Sequence, residues 1–314
     1  MRVVFWGTPA FALPSLGALA GEGYDVVGVV AQPTRPAGRG RLPREPAVAG
    51  MAREEGIPVF QPERAGSTEF LQKLQGLEPD VFVVVAYGQI LPQSILDVPP
   101  LGCINVHASL LPELRGAAPV NWAIIRGFRQ TGITIMRMVR KMDAGPILLQ
   151  VVEPIREDET AGELYARLSR LGAKALVEAL SLMGTGRLHE VEQNESNATF
   201  APRLTAEHRR LDWSLDADSL DRWIRGLDPL PGAWSELEGE RIKLFRSRPD
   251  ASTGSDAEPG TILGVGATGV SRDLQVACGG GVLHVRELQP AGKRRMAVSD
   301  WVCGRSDPSG LRFR

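Results

Sequence analysis

Three polar residues, Asn105, His107 and Asp143, have the types and spacing that chemistry at a carbonyl group requires. Asn105 and His107 are two residues apart in a segment that is typical of a strand, so their side chains should point to the same side. An amide and an imidazole side by side are hydrogen-bond donors that can stabilise a developing oxyanion. Asp143 lies in a glycine-containing turn after another predicted strand, from which its carboxylate can reach His107 and fix the tautomer. The alternative is that His107 is a structural histidine and Asn105 a turn former.

A second candidate site is the segment from Gln32 to Pro46, which concentrates positive charge among glycines and prolines. Its cations are Arg35, Arg39, Arg41 and Arg44. Glycine and proline at this density predict a long exposed loop without regular structure, and such loops are often functional. Because the loop follows a strand of the same sheet, it should open toward the same rim as Asn105, where it suits an anionic polymer. A smaller basic patch consists of Lys293, Arg294 and Arg295. The alternative for the arginine-rich segment is an ordinary solvated loop.

Other familiar motifs are missing or out of context. Gly264 to Gly269 match the GxGxxG spacing, but the following residues lead into a strand instead of a helix, which favours a glycine-rich hairpin turn. No GxSxG marks a hydrolase nucleophile. The three cysteines lie far apart with no CxxC, which argues against a zinc site and against a disulfide framework.

The elements that must position these residues alternate between strand and helix. Arg2 to Trp6 and Asp25 to Val30 are apolar runs separated by a helical pattern, and Asp80 to Ala86 gives the strongest central-strand signal. Further strands are predicted over 102–107, 131–138 and 147–152, and a long amphipathic helix is predicted over 160–183. Near-continuous valine and isoleucine runs are typical of strands buried on both faces, so the fold class is α/β with a mostly parallel sheet.

The length of the chain suggests two domains, and its balanced charge argues against a surface that is basic all over. The chain has 314 residues, with 36 Lys and Arg against 37 Asp and Glu and a net charge of -1. We expect a first domain over 1–188, a linker over 189–206 and a second domain over 207–314, because periodicity is lost near 189–205. Short, regularly spaced strands after the linker predict a small β-barrel. No targeting or membrane segment is evident, so we expect a cytoplasmic protein with reduced thiols.

Over essentially its whole length, the chain resembles the methionyl-tRNA formyltransferase family. The most specific stretch runs from Asn105 to Pro112 and continues through Arg115 to Pro119, followed by Met142 to Leu148. Further matching stretches are Val4 to Pro9 with Phe11, Gln32 to Gly40, Ala86 to Pro92, Asp212 to Ser214 and Gln289 to Lys293. The resemblance implies a Rossmann-like formyltransferase domain followed by an OB-like, tRNA-binding barrel.

The resemblance also implies a reaction and its residues. The formyl group of 10-formyltetrahydrofolate would pass to the α-amino group of methionyl initiator tRNA, with no metal and no nucleotide cofactor. The catalytic residues would be Asn105, His107 and Asp143. The folate site would comprise Ile90, Leu91, Ser109, Leu110, Leu111, Pro112 and Val139. The tRNA contacts would include Arg35, Arg39, Arg41, Lys293 and Arg294. We expect a monomer that does not bind membranes.

Two other classes of function stay open on the residues themselves. Another 10-formyltetrahydrofolate-dependent formyltransferase or hydrolase, acting on a small molecule, would keep Asn105, His107 and Asp143 without needing the arginine-rich loop or the barrel. A non-enzymatic RNA-binding protein would use the barrel and leave the three polar residues inert.

Overall fold

The computed structural model describes residues 1–37, 42–268, 271–303 and 306–314. The chain divides into two compact units. Unit 1 comprises Met1–Pro119, Gln130–Pro154 and Tyr165–Pro202, and unit 2 comprises Val120–Arg129, Ile155–Leu164 and Arg203–Arg314. The domain and linker boundaries expected from the sequence stay predictions.

The strands of the described residues are β1 Arg2–Gly7, β2 Asp25–Val30, β3 Arg35–Ala37, β4 Leu42–Arg44, β5 Val59–Phe60, β6 Val81–Val85, β7 Cys103–His107, β8 Arg115–Gly116, β9 Gln130–Arg137, β10 Ile147–Pro154, β11 Phe200–Ala201, β12 Ala233–Leu237, β13 Glu240–Asp250, β14 Ile262–Thr268, β15 Ser271–Ala277, β16 Val282–Pro290 and β17 Met296–Ala297. The α-helices are α1 Leu13–Gly21, α2 Ala47–Glu54, α3 Thr68–Gly76, α4 Gln93–Leu96, α5 Pro119–Ile125, α6 Ala161–Gly184, α7 Ala217–Leu227 and α8 Val298–Val302. Short 3₁₀ turns span Ala10–Ala12, Glu195–Asn197 and Glu207–Arg209.

Unit 1 is built on a seven-stranded sheet with the order β10-β9-β7-β6-β1-β2-β5. The strands from β7 to β5 run parallel, whereas β9 is antiparallel to both β7 and β10. The mostly parallel, Rossmann-like sheet expected from the sequence is therefore confirmed.

The central strands of this sheet are buried because their sequences are almost wholly apolar. All five residues of β6 are buried, and so are the last five of β1. Helix α6 covers one face of the sheet, where Gly172 lies so close to Val106 that a Cβ atom would sit 2.9 Å from the valine methyl group. Strands that are covered on both faces give β7 a fixed position, and β7 carries Asn105 and His107.

The segment from 32 to 46 differs from the expected irregular loop. β3 and β4 pair antiparallel as a small exposed ribbon, with Pro36 opposite Pro43. Since proline has no N–H to donate, these two residues can face each other only at a non-hydrogen-bonded position of the ladder. High proline content therefore does not exclude a two-stranded ribbon. Residues 38–41 lie outside the described part of the chain.

Unit 2 contains an antiparallel sheet with the order β12-β13-β16-β15-β14, and β17 pairs with β16. The last residues of the chain join the two outer strands, because Phe313 bridges to Leu237 at the end of β12 and Arg312 bridges to Thr261 next to β14. Stacking of Phe313 on Trp213 holds this closure in place. The arrangement agrees with the predicted small β-barrel.

The GxGxxG match in this barrel belongs to a β-hairpin, as expected. Gly264 and Gly266 lie in β14, which pairs antiparallel with β15 and is not followed by a helix. A Cβ atom at Gly266 would come within 2.4 Å of the end of the Gln275 side chain, which would have to shift to make room for it. Gly269 lies outside the described residues.

No helix in the described residues combines the length and apolar character needed to cross a membrane.

Candidate active site

Strand β7 presents Asn105 and His107 on one face, together with Cys103. Cys103 packs in a buried cluster with Tyr87 and Leu91, which follow β6. Asn105 is paired with Val84 of β6 in the parallel register. The alternation of the strand therefore places Asn105 and His107 next to the loop that follows β6, at the carboxyl end of the parallel strands.

His107 is buried and its ring is held by a backbone carbonyl. The side chain is 7% exposed, and Nε2 lies 3.1 Å from the carbonyl oxygen of Leu114. Because a carbonyl oxygen only accepts, Nε2 carries the proton and a neutral ring has its lone pair on Nδ1. Nδ1 faces Asp143, with 3.9 Å between Nδ1 and Oδ2, which is an ion-pair distance but too long for a hydrogen bond. The ring hydrogen bond is thus made to Leu114, and the orienting role expected of Asp143 stays a prediction.

Asp143 lies in the turn between β9 and β10, where a backbone hydrogen bond holds its side chain. Its Oδ2 atom accepts a hydrogen bond of 2.8 Å from the backbone N–H of Gly116, and its backbone has a positive φ of 50°. Gly145, two residues further on, permits this tight turn, because a Cβ atom there would overlap the carbonyl oxygen of Arg137. The carboxylate is therefore preorganised beside His107.

Asn105 is only partly buried, and its side-chain amide has no hydrogen-bond partner among the described residues. An amide that is fixed on a rigid strand and has no protein partner can donate to a ligand in exchange for water, without breaking a bond within the protein. The structure thus brings together all three residues predicted to be catalytic. Their arrangement offers a free donor, an imidazole and a carboxylate, which is suited to oxyanion stabilisation and proton transfer.

The residues predicted to bind folate differ in how far their side chains are buried. Ser109 and Leu111 are buried, and the Ser109 hydroxyl donates to the carbonyl oxygen of Glu113 at 2.6 Å, so these side chains support the turn. Leu91 is also buried, whereas Leu110 and Pro112 are half-buried. By contrast, Ile90 is 79% exposed and Val139 is 40% exposed.

Met142 is a further exposed apolar side chain, at 61%, and directly precedes Asp143. Sequence reasoning did not single it out as a contact. Exposed apolar side chains beside convergent polar groups are typical of a binding site for a flat, partly apolar ligand.

Of the residues predicted to contact tRNA, the structure describes three. Arg35 is exposed on β3 and forms a 3.5 Å ion pair with Glu63. Lys293 and Arg294 are exposed on the turn between β16 and β17. Arg39 and Arg41 lie outside the described residues. Arg295, the third member of the basic patch, is instead committed to structure, because it pairs with the buried Asp228.

A basic and aromatic surface of unit 2 was missed by the sequence analysis. The guanidinium groups of Arg210 and Arg241 lie 5.7 and 3.8 Å from the ring centre of Trp234 on β12. Cation–π contacts of this kind hold arginines in place at a surface. The three residues are separated in the sequence, so no local pattern indicated that they meet.

Comparison with known proteins identifies the family of the chain. The family model described as "Formyl transferase" matches residues 1–180, and "Formyl transferase, C-terminal domain" matches residues 203–306. Among solved structures, the N-formyltransferase from Helicobacter canadensis, in complex with folinic acid and dTDP-3-aminofucose, has a TM-score of 0.67 at 15% identity and covers 91% of this chain and 98% of its own. HypX from Aquifex aeolicus, in complex with tetrahydrofolic acid, has a TM-score of 0.66 at 18% identity, and the match covers 96% of this chain and 47% of HypX. These two likenesses show the fold.

Relatives with higher sequence identity define the family more narrowly than these solved structures do. A protein of Citrifermentans bemidjiense named methionyl-tRNA formyltransferase is 44% identical over 312 residues, which is 99% of this chain and 96% of that protein. A protein of Bacillus subtilis with the same name is 46% identical, covering 96% of this chain and 94% of its own length. The chain therefore belongs to the formyl transferase family and, within it, to the methionyl-tRNA formyltransferases.

Proposed function

We propose that this chain transfers the formyl group of 10-formyltetrahydrofolate to the α-amino group of methionyl initiator tRNA. The observation that carries this proposal is the convergence of Asn105, His107 and Asp143 at the carboxyl end of the sheet, in a chain whose near-full-length relatives bear the name methionyl-tRNA formyltransferase. Translation initiation would be the process served, and the cytoplasm its place.

In the proposed reaction the neutral amine of the methionyl group attacks the formyl carbon. A C–N bond forms, the carbonyl electron pair moves onto oxygen, and the bond from the formyl carbon to N10 then breaks. Asn105 stabilises the oxyanion through its unpaired amide. Removing one such donor typically lowers the rate by about 100- to 1000-fold. No covalent intermediate with the protein is needed.

His107 accepts the proton that the attacking amine must lose, and Asp143 stabilises the charge that results. In the neutral ring that donates to Leu114, Nδ1 can accept a proton, and the resulting imidazolium lies beside the Asp143 carboxylate at 3.9 Å. The proton can then pass to N10 as the C–N10 bond breaks, so charge and protons balance. Alignment of the two substrates contributes further to the rate.

The donor substrate would lie against the exposed apolar side chains of Ile90, Val139 and Met142, with the turn from Ser109 to Pro112 as the floor beneath. A pterin and its linked ring are flat and partly apolar, which matches side chains of this kind. The relation to folate is supported by the two solved structures of similar fold, which are complexes with tetrahydrofolic acid and with folinic acid.

The acceptor would be held mainly through phosphate contacts. Arg35, Arg39 and Arg41 would contact the acceptor stem. Lys293 and Arg294 on the barrel would contact more of the tRNA backbone. Because such contacts release counterions, affinity should fall steeply with salt. We further propose that the protein acts as a monomer, which light scattering after size-exclusion chromatography would test.

The deciding experiment measures formyl transfer from 10-formyltetrahydrofolate to charged initiator tRNA, beside elongator methionyl-tRNA and a reaction without tRNA. Fast transfer to the initiator alone is expected. Formate release without tRNA and without a formylated product would move the chain to the hydrolase function. Formylation of a small amine in place of the tRNA would make it a different formyltransferase.

A further inference from the structure

The chain that follows α6 makes a series of contacts with both sides of the candidate active site within unit 1. These contacts come from residues 193–201, called here the 193–201 segment. Its last two residues form β11, which pairs in parallel with β8. The segment has no periodic pattern in the sequence and was expected to be part of a linker.

On one side the segment holds the turn that carries Asp143. The Gln193 side chain is buried, and its Nε2 atom donates to two backbone carbonyl oxygens of that turn, those of Asp143 at 2.9 Å and Gly145 at 2.7 Å. Both donors of the amide are used. The conformation of the turn, including the positive φ of Asp143, therefore depends on a residue 50 positions further along the chain.

The acceptor end of Gln193 is held by a buried cation. Arg115 is 1% exposed, and its Nε and Nη2 atoms donate to Gln193 Oε1 at 3.1 and 2.7 Å. The same guanidinium donates twice to Glu195, at 3.0 and 3.1 Å. Hydrogen bonds from Arg115 and Lys141 lower the pKa of Glu195 to about 2, so the carboxylate stays charged. A buried arginine with this many fixed partners is a rigid anchor.

On the other side the segment holds the backbone that orients His107. The N–H of Leu114 donates to Thr199 Oγ1 at 2.9 Å, and the N–H of Arg115 donates to the carbonyl oxygen of Thr199 at 2.9 Å. Leu114 has a positive φ of 58°, which a leucine adopts only when surrounding contacts impose it. The carbonyl oxygen of this same residue receives the His107 Nε2–H.

We propose that the 193–201 segment is a positioning device that holds the His107 imidazole and the Asp143 carboxylate at their working separation, through Thr199 on one side and Gln193 on the other. The inference rests on the proposed function. Neither Gln193 nor Thr199 is a catalytic residue, because each acts through the groups that it places. The N–H of Gly116, which holds the Asp143 carboxylate, is part of the stretch that β11 fixes.

The test uses substitutions that break one half of the device at a time in the full chain. In Gln193→Glu the side chain can still accept hydrogen bonds from Arg115. The Nε2 donor that bonds to the carbonyl oxygens of the Asp143 turn is replaced by an oxygen, which cannot donate. Thr199→Val keeps the shape of this exposed side chain and removes the hydroxyl oxygen that accepts a hydrogen bond from the Leu114 N–H. Thr199→Ser retains the hydroxyl. Gln93→Met is the control, since Gln93 makes one exposed hydrogen bond to Asp97 on α4.

Each variant is assayed for kcat and for both KM values at a temperature where circular dichroism shows it folded. We expect kcat of Gln193→Glu and Thr199→Val to fall by roughly 10- to 100-fold, as a displacement near 1 Å produces, with both KM values unchanged. Thr199→Ser should recover most of the rate, and Gln93→Met should match the wild type. Unchanged kcat in folded variants overturns the proposal, and so does failure of both variants to fold, which would make the segment purely structural.

A second measurement does not depend on turnover. The chain has four histidines, so the ring Nε2–H of His107 can be assigned by nitrogen-15 NMR. We expect its exchange with water to be slow in the wild type and faster in Thr199→Val. If the wild type shows no formyl transfer but the exchange changes as expected, the proposed function fails and the device stands. If transfer occurs and neither kcat nor exchange responds, the device fails and the function stands.

Discussion

Replacing Asp143 by asparagine isolates the charge that faces His107. An asparagine oxygen can still accept the hydrogen bond that Gly116 donates to Oδ2 at 2.8 Å. The shape and position of the side chain are therefore retained, while the negative charge is lost. Because the imidazolium forms only while the attacking amine loses its proton, the substitution should lower kcat more than it changes substrate binding.

The expected size of the effect follows from one distance. Two unit charges separated by the 3.9 Å between Nδ1 and Oδ2 attract each other by about 4 kcal/mol at an effective dielectric constant of about 20. Since each 1.36 kcal/mol is a factor of about ten in rate, kcat should fall by roughly 1000-fold. The interaction counts in full, because the imidazolium charge is present in the transition state and absent from the neutral ground state.

The assay is formyl transfer at saturating concentrations of both substrates, with binding of the folate followed separately by fluorescence. Asp97→Asn, on the exposed end of α4, is the matched control and should keep the wild-type rate. A fall in kcat of less than about tenfold for Asp143→Asn, in a folded variant that binds folate normally, would refute the charge-pair argument.

Three further outcomes are expected. Gly116→Ala should destabilise unit 1, because φ at this position is +124° and a Cβ atom would lie 2.6 Å from the carbonyl oxygen of Ala201. We expect a loss of about 2 kcal/mol and a melting temperature lower by roughly 4–8 °C in calorimetry. An unchanged melting temperature would contradict this expectation. Hydrogen bonds from two basic side chains lower the pKa of Glu195 from 4.5 to about 2. The stability that this carboxylate contributes is therefore complete above pH 4.5 and is lost as the pH falls toward 2. The free energy of unfolding of Glu195→Gln, measured in urea, should depend less on pH in that window than that of the wild type. Lys293→Ala and Arg294→Ala should each reduce by about 1 the slope of log affinity for charged tRNA against log salt, and equal slopes in filter binding would remove these residues from the contact surface.

Much of the fold could be predicted because its signals are local. The valine-rich run of β6 and the amphipathic pattern of α6 each specify an element from neighbouring residues. The short elements β8, β11 and α4 were missed, since two to four residues give no periodicity. The ribbon of β3 and β4 could not be predicted from its proline content, because two prolines can face each other across a two-stranded ladder.

The three central site residues could be predicted because Asn105 and His107 share one strand and Asp143 lies in a recognisable turn. Their supports could not be predicted in the same way. Leu114 acts through a carbonyl oxygen, which every residue possesses, and Gln193 lies 50 residues from the turn that it holds. Partners of this kind are seen only in the folded structure, where residues that are distant in the sequence come into contact.

The closure of the barrel bears on how unit 2 folds. The hydroxyl of Ser235, in β12, donates to the carbonyl oxygen of Arg314, and these partners are 79 residues apart. Bringing such distant positions together costs roughly 4 kcal/mol of chain entropy before any contact compensates for it. Until Phe313 reaches Trp213, the outer strands β12 and β14 remain open edges that can pair with other chains. The interval before closure is thus when a newly made barrel is most exposed to aggregation, and substitutions that weaken the closing residues should reduce the yield of folded protein more than its final activity.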